Sequence, residues 1–178
     1  MKKMADKTRA VNLQILVKPW VKHGIVDLFM AFREIDLIPY HLFFLHQGIE
    51  KLCKAYFIAS QARRYLHLDL ETATCQLDSP LRVWAHNLRD WLGIVGIGIP
   101  EVRGWLSDPF LDILEGAYTE GRYPVPPQKS RFRKHGFPAV ATHRNQEKAF
   151  AVSLSILKAL YQEYEIVVGA DDFPTPVQ

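Results

Sequence analysis

YHLFFLHQGIEKLCKAYFIA, residues Tyr40–Ala59, is the stretch that decides the fold. Leu42, Leu45, Ile49, Leu52, Tyr56 and Ala59 recur at alternating spacings of three and four, which lines them along one side of a helix. Working outward, SPLRVWAHNLRDWLGIV (79–95) repeats the pattern with Leu81, Trp84, Leu88, Trp91 and Val95. NQEKAFAVSLSILKALYQEYEIV (145–167) does so with Phe150, Leu154, Leu157, Tyr161 and Tyr164. A less regular stripe of Trp20, Ile25, Leu28, Phe29 and Phe32 predicts a first helix starting near Pro19.

The punctuation agrees. Ser79-Pro80 and Asp108-Pro109 each offer a capping side chain followed by a proline whose missing N–H is harmless in the first turn. Asn145 can cap the last helix, and Gly121 suits the left-handed residue that ends the one beginning at Pro109. Pro39 separates the first two helices, because the residue before a proline is pushed out of the helical region. GIVGIGIP (93–100) reads as the frayed end of the third helix. No segment alternates as a strand does. The expectation is an all-α bundle of five helices in a single domain over 1–168, with a flexible tail over 169–178.

At 178 residues the chain is long enough for one well-filled core. No run reaches the ~20 apolar residues that a membrane crossing needs, and the basic N-terminus lacks the apolar segment of a secretory signal. A soluble, cytoplasmic protein without membrane attachment is expected. Cys53 lies on the apolar stripe and reads as a buried thiol; neither it nor Cys75 belongs to a pattern of metal ligands, so no metal and no cofactor are expected. His41 and His46 do not share a helix face and do not suggest a metal pair.

The net charge of +3 conceals an asymmetry. Residues 121–148 carry seven Lys or Arg and a single acid, Glu147, while the remainder is mildly acidic. Most of that charge falls in a connection from Arg122 to Arg144, longer than the ~12–15 residues usual in compact domains. A local positive field of this kind attracts phosphates or an acidic partner; the plain alternative is a solvated loop. Read as a binding segment, it offers Arg122, Tyr123, Lys129, Arg131, Arg133 and Lys134 to a nucleotide or RNA. Elsewhere, His86 is the most suggestive histidine. Continuous helical geometry would align it with Arg82 and Asp90 on a polar face, as a phosphate site, a proton-transfer group or an ordinary row of surface charges.

Three segments resemble the HEPN family. FFLHQGIEKLCKAYFIA is similar to its second-helix signature, in which a glutamate and a lysine precede a Lys-Ala step, here Glu50, Lys51 and Lys54-Ala55. AHNLRDWL is similar to its histidine-Asn/Asp-leucine segment, and AYTEGRYPVPP to the tyrosine and Arg-Tyr-Pro element that closes a later helix. They occur in family order, and the resemblance covers roughly Trp20 to Tyr164. It implies a helical bundle like a nucleotidyltransferase substrate-binding subunit, commonly dimeric and often paired with a nucleotidyltransferase antitoxin. Tyr118 would pack inward, with Arg122 and Tyr123 at the mouth of a cleft.

Many members are metal-independent ribonucleases with an arginine followed, after four to six residues, by a histidine. This chain departs from that hallmark. Arg63 and His67, Arg82 and His86, and Arg131 and His135 are each separated by only three residues. The resemblance therefore favours a module binding a nucleotide, RNA or a nucleotidyltransferase partner, in a toxin–antitoxin or defence setting. The alternative is a ribonuclease with His86 as acid/base and Arg82 or Arg122 as phosphate clamp.

Overall fold

A computed structural model describes residues 2–33, 38–61, 64, 68–83, 86–120 and 143–173. Among them the chain is all-helical, without strands. The described residues form seven α-helices where five were expected: α1 (Lys2–Arg33), α2 (Ile38–Ser60), α3 (Leu70–Val83), α4 (Leu88–Gly98), α5 (Pro100–Gly104), α6 (Phe110–Glu120) and α7 (His143–Tyr164).

The organising element is α2, packed by α1, α4, α6 and α7. Its predicted stripe is buried throughout, from Leu42 to Ala59, and Cys53, Ala55, Phe57 and Ile58 on its other sides are buried as well. A helix apolar nearly all round belongs in the centre of a domain. Burial pushes the Cys53 thiol far above its usual value, with the Glu50 carboxylate adding to the rise, so this cysteine is inert packing material.

Helices α1 and α2 form an antiparallel hairpin whose closest approach is at two glycines. A Cβ on Gly48 would lie 2.8 Å from Leu28 Cγ and 3.0 Å from the Gly24 carbonyl oxygen. Lys51 bonds Asp27 across the same seam, and the buried His41 Nδ1 donates to the Ala31 carbonyl at 2.5 Å. Helix α1 starts well before the predicted Pro19, which lies within it, and buries Val17, Val21, Leu28 and Ala31.

The expected third helix is two helices. Asn87 interrupts it: its side-chain oxygen accepts from the Asp90 amide at 3.2 Å and caps α4. Ser79 and Pro80, expected to start a helix, lie inside α3, whose start is set by Asp69. That carboxylate accepts from the Thr72 amide at 2.9 Å and from its hydroxyl at 2.7 Å. GIVGIGIP does not fray. Helix α4 runs to Gly98, and Gly96 lets the chain turn tightly into α5, since a Cβ there would sit 2.9 Å from Arg103 Cα.

Asp108 caps α6 as its Asp-Pro pair suggests, accepting from the Phe110 amide at 3.0 Å, and also accepts from Lys148 of α7 at 2.6 Å. Asn145 does not start α7, which begins at His143. At the other end of α7, Glu165 adopts a left-handed φ of 55°, and the Ile166 amide donates to the Leu160 carbonyl at 3.1 Å. The Glu165 amide itself donates to the Tyr161 carbonyl at 3.1 Å, the bond of a left-handed helix cap, with glutamate where glycine is usual. The tail expected over 169–178 holds, in its described part, a short 3-10 turn at Ala170–Asp172, where Asp172 pairs with Lys18 of α1 at 2.7 Å.

Candidate functional site

The polar side chains of α2 gather on one line. His46, Glu50 and Lys54 follow one another at helical spacing of four, and all three are buried. Burying a carboxylate and an ammonium is tolerable only when each is compensated. Lys54 Nζ lies 2.5 Å from Glu50 Oε1 and stands over two indoles, 5.4 Å from the Trp20 ring and 5.5 Å from the Trp91 ring. The ammonium thus meets a carboxylate and two aromatic faces, arrangements that favour a desolvated cation.

Glu50 also reaches towards the surface. His86 Nδ1 lies 3.1 Å from its Oε1 and 3.2 Å from its Oε2, whereas His46 Nδ1 is 3.7 Å from Oε2, beyond hydrogen-bonding distance. His86 is held from both sides. The turn before α4 delivers it to Glu50, and the Tyr118 ring of α6 stacks on it with centroids 4.6 Å apart. Tyr118 stacks equally on His46, at 4.7 Å. With 46% of its side chain exposed, His86 is the surface end of a column that runs inward through Glu50 to Lys54.

The structure therefore places the predicted site residues unevenly. His86 is not on a helix face with Arg82 and Asp90, because the helix breaks between them. Arg82 belongs to α3 with its side chain outside the described residues, and Asp90 lies in the first turn of α4. Tyr118 packs inward as expected. Arg122, Tyr123, Lys129, Arg131, Arg133 and Lys134 lie outside the described residues. Sequence reasoning missed Glu50 and Lys54 as members of the site. The available signal was a charged pair at spacing four on a helix that is apolar on its remaining faces.

Neighbouring polar contacts fix the walls. The Arg89 amide donates to Glu115 at 2.9 Å and its guanidinium to Asp112 at 2.6 Å and to the Leu106 carbonyl, so α4 and α6 are tied beside the His86 turn. A shallow groove lined by Arg89, Asp90, Gly93, Ile94, Ile97 and Leu106 lies on this side but includes none of the buried column. Among the described residues, no three His, Cys, Asp or Glu side chains converge as metal ligands do, and no helix is long and apolar enough to cross a membrane.

Comparison with known proteins returned no matching family model, no matching curated protein and no matching solved structure.

Proposed function

We propose that this chain is a HEPN-like helical module that binds a phosphate-bearing ligand, a nucleotide or RNA, at the mouth formed around His86. One observation carries the reading. The three segments on which the resemblance rests supply Glu50, His86 and Tyr118, and these three side chains meet in a single cluster. Segments far apart in sequence that converge on a half-exposed histidine are a reason to read them as one site. The cationic run from Arg122 to Lys134 follows α6 directly in the chain, and its charge suits phosphate. A nucleotidyltransferase partner in a toxin–antitoxin or defence system fits the same reading.

A second reading, metal-independent ribonuclease, draws on the pairing of His86 with Glu50, the arrangement by which a carboxylate orients an acid/base histidine. The absent arginine–histidine spacing ranks it below binding.

The proposal includes a homodimer. Its support is an apolar strip on the surface: Phe32 of α1 meets Phe150 of α7 edge-to-face at 6.3 Å, and Phe29, Leu154 and Tyr161 nearby are each more than half exposed. Light scattering at micromolar concentration tests it; a species of 20.5 kDa contradicts it.

Ligand binding is tested with a fluorescein-labelled oligoribonucleotide, followed by anisotropy as salt rises. Affinity should fall steeply, and neutralising Arg131, Arg133 and Lys134 together should flatten the log–log slope by about two units, at ~0.7 per phosphate contact on a single strand. Equal slopes in both proteins would remove these residues from the site.

A further inference from the structure

A carboxylate can only accept hydrogen bonds. The contact of His86 Nδ1 with both oxygens of Glu50 therefore puts a proton on Nδ1, and in the neutral ring this leaves Nε2 with its lone pair. Free histidine in water prefers the opposite form, with the proton on Nε2. Among the described residues, Glu50 is the group that meets His86 Nδ1. The carboxylate is 3% exposed and bonded at 2.5 Å to a buried lysine that stands over two indoles, so it has little freedom to turn away. Tyr118 under the imidazole ring limits its rotation.

We infer that Glu50, paired in the core with Lys54, is a positioning residue that fixes His86 as its Nδ1–H tautomer and so presents Nε2 outward as a hydrogen-bond acceptor. The role rests on the reading of His86 as the ligand contact, and it deepens that reading by naming the ligand atom. Neutral His86 takes a hydroxyl or an N–H hydrogen at this nitrogen, not a bare phosphate oxygen, which offers only lone pairs. A phosphate group of the same ligand has to be met by other residues.

The test needs no ligand. Long-range proton–nitrogen correlation spectra of the nitrogen-15-labelled protein, at a pH where imidazoles are neutral, report the tautomer of each histidine; His86 is assigned by its loss in His86→Gln. The Nδ1–H form should predominate by more than about tenfold, as a bond to a charged acceptor outweighs a neutral one. In the double variant Glu50→Leu/Lys54→Met, which removes both charges at similar volume, His86 should return mainly to the Nε2–H form while melting stays cooperative. Glu50→Gln keeps the side-chain shape, loses the charge and should shift the population the same way by less, which covers a double variant that does not fold. An Nε2–H majority in the wild type, or an unchanged Nδ1–H majority in the variants, overturns the inference. Failure here removes the positioning role of Glu50 and leaves oligoribonucleotide binding to be judged separately. Loss of that binding with the tautomer intact would instead remove the reading of the site.

Discussion

Replacing Glu50 by alanine removes the carboxylate that joins Lys54 to His86 and leaves an ammonium in the middle of the bundle. Lys54 is 6% exposed, so water cannot easily take the place of the lost partner. Breaking a buried ion pair from one side costs about 3–5 kcal/mol. The two indoles over which Lys54 stands offset part of this, at roughly 1–2 kcal/mol for a desolvated cation on an aromatic face. The net expectation for Glu50→Ala is thus about 2.5 kcal/mol. In a chain of this length each kcal/mol moves Tm by ~2–4 °C, so the melt should fall by roughly 5–10 °C. Lys54→Met should also destabilise, by stranding the carboxylate. Glu50→Leu/Lys54→Met should lie within about 1–2 kcal/mol of wild type, because apolar replacement of a whole buried pair is often neutral. Thermal melts by circular dichroism, with urea titrations to check that the m-value is unchanged, measure all three. A Glu50→Ala protein within ~0.5 kcal/mol of wild type, the range of an ordinary surface substitution, would refute the buried column.

Gly48→Ala should lose about 1–3 kcal/mol to the clash with Leu28 and the Gly24 carbonyl, outweighing the ~1 kcal/mol gained in helix propensity; a stabilised variant in urea titration would mean that the α1–α2 seam is looser than described. Glu165→Gly should raise stability by ~1 kcal/mol, because glycine adopts the left-handed φ of 55° without strain; a lower Tm would show that the Glu165 side chain contributes more than its backbone loses. Asp69 is held below its ordinary carboxylate value of 3.8 by its bonds to Thr72. A folded value below the unfolded one stabilises fully above 3.8 and fades as pH falls through the folded value, so Asp69→Asn should remove that part of the acid sensitivity; NMR titration showing an ordinary value for Asp69 would sink the α3 cap.

The sequence was most informative where one helix face decides everything. The stripe from Leu42 to Ala59 is buried as its spacing requires, because α2 is surrounded and large apolar side chains fill its contacts. The same counting held only in part on α1 and α7, where Trp20, Ile25, Leu28, Phe150, Leu157 and Tyr164 pack in or against the core. Phe29, Phe32, Leu154 and Tyr161 are exposed, while Ala31, Ala149, Ser153 and Ala159 are buried. Close helix packing selects small residues, and a stripe drawn through the largest apolar side chains slides off the true contact. Segmentation failed at Asn87 and Asp69 for a different reason. Apolar spacing continues across Asn87 unless the capping side chain is read first, whereas at Asp69 the cap was passed over in favour of the Ser79-Pro80 pair ten residues later. His86 was singled out from the sequence with the wrong neighbours. Its partners Glu50 and Tyr118 come from distant segments, and only the tertiary fold supplies that proximity.

The central claim is that His86 meets a ligand at the surface end of the buried column. His86→Ala tests it most directly, in the oligoribonucleotide anisotropy assay with a thermal melt of the same protein. Half-exposed His86 donates one hydrogen bond, and Glu50 keeps Lys54 when it is lost, so stability should drop by no more than about 1 kcal/mol. Oligoribonucleotide affinity should fall at least about tenfold, the effect of losing ~1.4 kcal/mol of contact, with no cleavage by either protein. Unchanged affinity in a folded His86→Ala protein would contradict the claim, and metal-independent cleavage by the wild type that vanishes in the variant would replace the binding module with the ribonuclease.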